Sequence, residues 1–344
     1  METPADMLAI VVREPGGPDM LEPQRMAVPL PRRGEVLIRV AAAGVNAPDL
    51  AQRRGRYDPP PDASALLGLE VAGEIAVLGE GVSGYLPGDR VVALTNGGGY
   101  AEYAAVPAGQ VLPLPHGWSM GAAAALPETF FTVEQTLVMR AGLAAGMSVL
   151  IHGAAGGVGG AAIQIAKVLG ARPIAVVSTA AKAAYAETLG AVETIISTSE
   201  DFVSRARELT GGQGVDRILD MGGGETLVRN IEAAARGAHI VCVASLSNEP
   251  SSIHAGKIVG KWLTISGSTL RPQSVETKAA IAQRLKADIW PALEDGRIIP
   301  PRLRSFRLEE AAEAHAEMEN RDSYGKLILV TAFGRSLGEA IPST

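Results

Sequence analysis

The chain has 344 residues, of which 47% are hydrophobic and 20% are charged. This length exceeds what one compact core usually holds, and the apolar content excludes a disordered polymer, so we expect two folded domains. The 31 Lys and Arg residues against 37 Asp and Glu residues give a net charge of −6, which disfavours nucleic acid or an anionic membrane as partner and favours a small molecule.

The single cysteine, Cys242, excludes an internal disulfide and the paired cysteines of a structural zinc site. The first residues show no secretory or Arg-rich transit pattern, so we expect a cytoplasmic protein. Residues 141–166 carry no formal charge and are long enough to cross a bilayer, but their seven glycines favour a strand, a turn and a helix. We therefore predict no membrane span.

Short β-type runs dominate the chain up to about residue 95. They cover residues 7–12, 35–45, 71–79 and 89–95, and turns rich in Pro and Gly separate them. Helix signals are scarce in this part. The pattern predicts a compact β-rich domain with irregular connections.

From about Met147 apolar strand-like runs alternate with helix-like stretches. The runs are residues 147–152, 173–178, 194–197, 215–220, 238–245 and 263–268. Two of the intervening stretches, 158–169 and 180–189, have helical periodicity and end at a glycine. This alternation predicts an α/β fold with six parallel strands in a doubly wound sheet.

Beyond Leu270 the sequence predicts two more helical stretches, 274–294 and 308–318, and a final strand at 326–330. We expect these elements to return to the first domain, because no low-complexity linker separates the parts. The cleft between two such domains is the expected place for a ligand.

The turn after the first strand of the α/β region is rich in glycine. Residues 153–160 read Gly-Ala-Ala-Gly-Gly-Val-Gly-Gly between a strand and a helix, the context of a dinucleotide-binding turn. Gly156 and Gly159 occupy the second and third positions of the GxGxxG pattern, and Ala154 replaces the first. Small residues let the backbone approach a pyrophosphate at the helix N-terminus. The alternative is that these glycines only allow close packing of helix on strand.

The end of the second strand of this region indicates which dinucleotide binds. An NAD site usually has Asp or Glu there, whereas this chain has Ser178, Thr179 and Lys182. Two hydroxyls and a cation suit a 2′-phosphate, so the sequence favours NADPH over NADH. The alternative is that Lys182 is an ordinary solvated lysine.

Several motifs together carry a family resemblance. They are Gly-Val-Asn-Ala-Pro-Asp-Leu at 44–50, Gly-Arg-Tyr-Asp-Pro-Pro-Pro at 55–61, Leu-Gly-Leu-Glu at 67–70, Pro-Gly-Asp-Arg-Val at 87–91 and Ala-Ala-Gly-Gly-Val-Gly at 154–159. With them the chain resembles the zinc-independent, zeta-crystallin-like NADPH:quinone oxidoreductases of the medium-chain dehydrogenase/reductase superfamily, closest to the p53-inducible type.

The resemblance implies an architecture and an assembly. It implies a GroES-like catalytic domain formed by residues 1–127 and 272–344, and a Rossmann NADPH-binding domain formed by residues 128–271. It also implies a homodimer paired through the Rossmann sheets.

The resemblance further implies that no metal is bound. Zinc-dependent relatives have a cysteine in the segment of Asn46, a histidine in the segment of Gly68 to Glu70, and a lobe with four cysteines after the segment of Tyr100; this chain has none of these ligands. Without a Lewis acid, simple alcohol dehydrogenation is disfavoured. The expected reaction is therefore hydride transfer from NADPH to an electron-poor acceptor such as a quinone.

Carried over by position, three side chains are implied to be catalytic: Asn46, Tyr57 and Thr132. For each we kept a structural alternative: Asn46 caps a helix, Tyr57 packs a proline loop and Thr132 bonds within its own helix. The implied cofactor-binding residues on the Rossmann side are Ala155, Gly156, Gly157, Val158, Ser178, Thr179, Lys182, Ala244, Ser245, Ser268, Leu270 and Lys326.

Two other functions stay open. One is an enone or enoyl reductase, which benefits from a proton donor that the sequence does not identify. The other is a non-catalytic, NADPH-binding structural or regulatory protein. For the carboxylates Asp49 and Glu70 we expect capping and turn hydrogen bonds, and for His152 a packing role.

Overall fold

The computed structural model of the protein describes residues 3–61, 63–320 and 322–340. Its internal contacts divide the chain into two units. The first unit comprises the described residues up to Phe131, residues 271–294 and those from Pro300 onward, and the second comprises residues 132–270 and 295–299. The borders expected from the sequence are 127/128 and 271/272, and its outermost limits, residues 1 and 344, lie outside the described residues.

Fifteen strands are present in the described residues. They are β1 (Asp6–Val12), β2 (Leu21–Ala27), β3 (Glu35–Gly44), β4 (Glu70–Leu78), β5 (Arg90–Leu94), β6 (Tyr103–Pro107), β7 (Val111–Pro113), β8 (Ser148–His152), β9 (Arg172–Val177), β10 (Glu193–Ile196), β11 (Val215–Asp220), β12 (Ala234–Cys242), β13 (Thr264–Gly267), β14 (Leu303–Arg307) and β15 (Lys326–Val330).

Twelve α-helices accompany them in the same described part of the chain. They are α1 (Ala47–Arg53), α2 (Met120–Ala123), α3 (Pro127–Val133), α4 (Gly157–Val168), α5 (Ala180–Leu189), α6 (Phe202–Leu209), α7 (Gly224–Ala233), α8 (Ala255–Lys261), α9 (Val275–Arg284), α10 (Trp290–Glu294), α11 (Ala311–Glu319) and α12 (Ala332–Ser336). None of the described helices is long and apolar enough to cross a membrane.

The second unit contains a six-stranded sheet with the order β10-β9-β8-β11-β12-β13, in which every pairing is parallel. All five residues of β8 are buried, as expected for an inner strand of a parallel sheet covered on both faces. The prediction of a doubly wound α/β sheet is confirmed. Its strand order reverses between β8 and β11, and ligands bind at such points in folds of this class.

The first unit contains a seven-stranded sheet with the order β14-β15-β3-β4-β5-β7, and β6 also pairs with β3. The strand β3 is buried along most of its length because neighbours cover both of its edges and the core covers its faces. The C-terminal strand β15 pairs antiparallel with β3, with Ile328 opposite Gly44. This pairing brings the C-terminal part of the chain back to the N-terminal part.

Some elements of the first unit are not evident in the sequence. The strand β2 contains Pro23 and buries only Leu21, so it lacks the apolar alternation that predicts a strand; it pairs with β1 in a separate two-stranded sheet. The predicted helix 274–294 consists of α9 and α10 joined by π-helical turns over Leu285–Ile289, next to Pro291, which lacks a backbone donor.

Residues 295–299 belong to the second unit, although both flanking segments belong to the first. The side chain of Gln164 on α4 explains this assignment. Its amide donates to the carbonyl of Ile299 over 3.2 Å, and its oxygen accepts from the amide of Ile299 over 2.8 Å. These two hydrogen bonds join distant positions of the chain, and the sequence gives no signal for them.

Candidate functional site

The glycine-rich turn joins β8 to α4 in the second unit. Gly153 has a φ of 60°, which favours glycine, and Gly156 is the N-cap of α4. A Cβ at Gly159 would lie 2.4 Å from the carbonyl oxygen of Gly153, so this position requires glycine for the close approach of helix and turn. At Gly156 such a Cβ would lie 3.3 Å from the Gly153 carbonyl oxygen, a tight contact, but no other atom would lie within 4 Å, so the outer side of this glycine is otherwise open.

The first turn of α4 offers backbone donors at this place. Its N-cap, Gly156, supplies no side-chain acceptor, and the first N–H groups of a helix have no partner within the helix. Gly156 is exposed, and Gly157 and Val158 are partly exposed. The helix has twelve residues, so an anion at this end meets both free donors and the positive end of the dipole.

Ser178, Thr179 and Lys182 come together where β9 ends and α5 begins. The Thr179 hydroxyl accepts the backbone N–H of Lys182 over 3.3 Å and caps α5. The Lys182 ammonium donates to the Ser178 hydroxyl over 3.2 Å. Two hydroxyls and one ammonium therefore form a group of donors that fits a phosphate.

The remaining predicted cofactor residues of this unit follow β12 and β13. Ala244 and Ser245 are exposed in the loop after β12. Ser268 directly follows β13, and its buried hydroxyl has no hydrogen-bond partner in the described structure. A buried hydroxyl without a partner is costly unless a bound group supplies one. Together with the space at Gly156, this hydroxyl indicates that the carboxyl ends of the strands fit a dinucleotide.

Asn46 lies at the N-cap position of α1 in the first unit, which agrees with the alternative that it caps a helix. Its side chain, however, bonds to Glu70 and Lys326 and not to the backbone of the helix. Its Nδ2 donates to Glu70 Oε1 over 2.8 Å, and its Oδ1 accepts from Lys326 Nζ over 2.7 Å. Lys326 Nζ also contacts Glu70 Oε1 at 2.5 Å, and both charged side chains are buried. Asn46, Glu70 and Lys326 thus form a closed triangle.

Lys326 requires a correction of the prediction that placed it on the Rossmann side. The structure assigns it to the first unit, because it is the first residue of β15 and this strand pairs with β3. A role of Lys326 at the cofactor stays a prediction. Glu70 also does more than cap a turn, since Oε1 pairs with Lys326 and Oε2 accepts the backbone N–H of Glu128 over 2.9 Å.

Tyr57 is half-buried in the same unit. The guanidinium carbon of Arg271 lies 5.5 Å from the centre of its ring. Burial raises the pKa of the Tyr57 hydroxyl, and Glu128 raises it further, whereas Arg271 lowers it. The surroundings of Tyr57 therefore include charged groups, which distinguishes it from a tyrosine that only packs a proline loop.

Thr132 lies in α3 and belongs to the second unit. Its carbonyl accepts the hydroxyl of Thr136 over 2.6 Å. Asn46 and Tyr57 belong to the first unit, so the three predicted catalytic residues come from both units. The catalytic role of Thr132 stays a prediction.

Glu128, in the first turn of α3, is a site residue that the sequence reasoning missed. Burial raises the pKa of its carboxyl to about 8; Glu70 and Asp49 add to this effect, and Lys326 and Lys278 oppose it. The only sequence signal for Glu128 is its place three residues before the Phe131-Thr132-Val133 segment. We call Asn46, Asp49, Glu70, Glu128 and Lys326 the polar cluster.

Two cations, Arg271 and Lys278, lie beside the polar cluster and were also missed. Lys278 is fully buried, and its ammonium donates to Asn96 Oδ1 over 2.6 Å and to the carbonyl of Arg271 over 2.7 Å. Burial lowers the pKa of Lys278 to about 8. Arg271 donates to Gln52 Oε1 over 2.6 Å. Lys278 is inconspicuous in the sequence because it stands in an ordinary helical pattern.

Asp49 orients the start of α1. Its carboxylate accepts the backbone N–H groups of Asn46 and Gly68, each over 2.9 Å, which confirms the expected capping and turn bonds. Burial raises the pKa of Asp49 to about 6, and these two bonds oppose the rise. A third contact, from the Tyr100 hydroxyl at 3.3 Å, comes from a residue for which the sequence predicted no role.

The buried His315 determines whether the Tyr100 hydroxyl donates or accepts in its hydrogen bond with Asp49. Arg53 can only donate, so Nδ1 of His315, 3.1 Å away, accepts. Burial lowers the pKa of His315 to about 3, so the ring is neutral and carries its proton on Nε2. This N–H donates to the Tyr100 oxygen over 3.0 Å, which leaves the Tyr100 hydroxyl to donate to Asp49.

Among the described residues, no group of three or more His, Cys, Asp and Glu side chains is arranged to hold a metal ion. His152, as expected, packs in the second unit. It contacts the ring of Phe202 edge-on and pairs with Asn230 Oδ1 at 2.7 Å.

Comparisons with known proteins agree with this architecture. Residues 32–116 match the alcohol dehydrogenase GroES-like domain, and residues 157–285 match the zinc-binding dehydrogenase family. The quinone oxidoreductase of Sus scrofa is 33% identical over 327 residues, which are 94% of this chain and 98% of that protein.

Two solved structures are similar over the same extent. The quinone oxidoreductase of Pseudomonas syringae pv. Tomato DC3000 has a TM-score of 0.82 and 32% identity, and the match covers 94% of this chain and 99% of that one. Escherichia coli quinone oxidoreductase, solved in complex with NADPH, has a TM-score of 0.81 and 29% identity, with 95% and 100% covered. The chain is therefore an oxidoreductase that belongs to the quinone oxidoreductase family of the medium-chain dehydrogenase/reductase superfamily.

Proposed function

We propose that this protein reduces quinones with NADPH and does so without zinc. The observation that carries the proposal is the closed triangle of Asn46, Glu70 and Lys326. Asn46 and Glu70 stand in the segments where zinc-dependent relatives have metal ligands, and their polar atoms bond to each other and to the ammonium of Lys326. An amide and a carboxylate paired with an ammonium are a poor donor set for zinc, which favours acceptors that need no Lewis acid.

The cofactor specificity rests on the end of β9. Ser178, Thr179 and Lys182 would hold the 2′-phosphate of NADPH, and the first turn of α4 would hold its pyrophosphate. Bound NADPH supplies the hydride. The relative from Escherichia coli, solved with NADPH, supports this choice.

We assign to Tyr57 the role of orienting the acceptor. An aromatic ring can stack on a flat quinone, and its hydroxyl can donate to the oxygen that gains charge during reduction. Arg271 beside the ring favours that negative charge further. Asn46 holds Glu70 and Lys326 in place, so we assign it a positioning role.

NADPH oxidation in the presence of 1,4-benzoquinone tests the proposal. We expect turnover with the quinone, little turnover with an alkenal, and no loss of activity after dialysis against a chelator. Turnover with alkenals and none with quinones would favour an enone reductase. Tight NADPH binding without turnover on either substrate would favour a structural or regulatory protein.

The edge of the parallel sheet supports the homodimer that the resemblance implies. The strand β13 is at the edge of its sheet and pairs only with β12 among the described strands. Close to it in sequence, Val259 and Trp262 are 73% and 66% exposed. An edge strand beside exposed apolar side chains favours pairing with a second copy. Sedimentation analysis of the wild-type protein and of Trp262→Glu tests this, with a dimer expected only for the former.

A further inference from the structure

Glu128 is a carboxyl of the polar cluster to which the proposed function assigns no role. Its backbone N–H donates to Glu70 Oε2 over 2.9 Å, which fixes the start of α3 against β4. Its side chain interacts electrostatically with six others: Asp49, Tyr57, Glu70, Arg271, Lys278 and Lys326. They come from α1, the loop after it, β4, the loop before α9, α9 and β15. Glu128 therefore lies where several elements of the first unit meet.

The hydrogen bonds decide which carboxyl of the cluster keeps a proton. Glu70 accepts three hydrogen bonds, from the Lys326 ammonium, the Asn46 amide and the backbone N–H of Glu128. Asp49 accepts two backbone N–H groups and the Tyr100 hydroxyl. Neither Lys278 nor Arg271 forms an ion pair with Glu128 in the described structure; Lys278 donates to Asn96, and Arg271 donates to Gln52 and Asn96. Glu128 is thus the carboxyl with the least support for its charge.

The position of Glu128 also suits exchange of a proton. Pro127 and Thr129 on either side of it are buried, whereas Glu128 keeps part of its surface accessible. Its charge acts on Tyr57, the side chain that we assign to the acceptor. A group that holds a proton at neutral pH, lies next to the acceptor residue and can be reached by water has what a general acid needs.

We propose that Glu128 is the general acid of the reaction and protonates the acceptor after hydride transfer. This inference rests on the proposed function. The hydride brings two electrons and one proton to the quinone and leaves an anionic oxygen. The Glu128 O–H bond then breaks, its proton forms the O–H bond of the hydroquinone, and the resulting carboxylate takes a new proton from water. The same step would protonate the enolate formed from an activated alkene.

The first experiment is independent of turnover. Infrared spectroscopy of the protein without cofactor is recorded from pH 5 to pH 10 for the wild type and for Glu128→Gln. We expect the C=O stretch of a protonated carboxylic acid at pH 7, with a component that disappears as the pH rises through about 8 and is missing in the variant; the component of Asp49, which disappears at about pH 6, remains in both proteins. A wild-type spectrum without this band at pH 7 would overturn the proposal.

The second experiment measures kcat against pH with benzoquinone. We expect wild-type kcat to be constant at low pH and to fall as the pH passes about 8, because the acid form is the active one. Glu128→Gln, which has the shape of the neutral acid, should lower kcat at pH 7 about 100-fold without the fall above pH 8, at unchanged NADPH affinity. Glu128→Asp should recover part of the rate. The exposed Glu294→Gln is the control and should behave like the wild type.

The two measurements separate the possible failures. Lys278 also has a pKa of about 8, so the pH profile alone does not identify the group, whereas the infrared band does. Wild-type kcat and an unchanged profile in Glu128→Gln would overturn the general acid. A wild-type protein that oxidises no NADPH with any quinone would contradict the proposed function instead, and the infrared titration would still decide whether Glu128 holds a proton.

Discussion

The glycine turn of the second unit and the polar cluster of the first unit are built in opposite ways. The turn consists of consecutive residues and presents mainly backbone, with Gly156 as N-cap and Gly159 in close contact with Gly153. The cluster consists of side chains from positions as distant as Asn46 and Lys326, most of them buried and charged. We therefore expect added side-chain volume to destabilise the turn, and the loss of a single charge to destabilise the cluster.

Removal of the Lys326 charge should have the largest effect. Lys326→Met leaves the buried Glu70 without its ion pair, and we expect the free energy of unfolding to fall by about 3–5 kcal/mol. Urea unfolding measures this loss. The double variant Glu70→Gln, Lys326→Met should recover much of it, because no uncompensated charge remains. A single variant as stable as the wild type would show that the cluster does not depend on this pair.

Added volume in the turn should cost less. In Gly159→Ala the new methyl group would lie 2.4 Å from the Gly153 oxygen and 2.5 Å from the Ala154 Cα, so backbone must move. We expect a loss of about 1–3 kcal/mol in unfolding free energy. Gly156→Ala is the matched comparison, since its methyl group meets a single atom, the Gly153 oxygen, at the longer distance of 3.3 Å. It should lose less stability than Gly159→Ala and weaken NADPH binding; the reverse assignment would contradict the division of roles between these glycines.

The charged side chain among those that we assign to the 2′-phosphate, Lys182, tests cofactor selectivity. Lys182→Ala should weaken NADPH binding by about 1–3 kcal/mol and leave NADH binding almost unchanged, since only NADPH carries the 2′-phosphate. Fluorescence titration with both cofactors measures this difference. Lys286→Ala, at another exposed lysine, is the control. Equal losses for both cofactors would mean that Lys182 acts on the fold.

The smallest effect is expected for a single hydroxyl beside the cluster. Tyr57→Phe should lower kcat with quinones about tenfold, equivalent to about 1.4 kcal/mol, and leave NADPH affinity unchanged. Tyr57→Ala should also raise KM, because the stacking surface is lost. Tyr85→Phe removes a hydroxyl that donates to the Val111 carbonyl and serves as control. Wild-type quinone kinetics in both Tyr57 variants would show that Tyr57 only packs the proline loop.

The two regions also differ in how much the sequence discloses about them. The turn could be located from residues 153–160, because a strand, its glycines and a helix follow one another and the signal is local. The group Ser178, Thr179 and Lys182 could be found in the same way, from its place at the end of a predicted strand. For the cluster and the residues beside it, the family motifs alone indicate Asn46 and Tyr57. No motif identifies Glu128, Arg271 or Lys278.

The sequence by itself determined the elements whose signal is periodic or local: the six parallel strands, the helices α4 and α5 with their glycine ends, and the dinucleotide turn. Tertiary structure alone decided the partners of the buried charges. Lys326 meets Asn46 and Glu70 because β15 pairs with β3, a pairing that joins chain positions about 280 residues apart. Burial and neighbouring charge set the ionisation of Glu128, and both depend on which distant residues pack against it, so no local pattern records them.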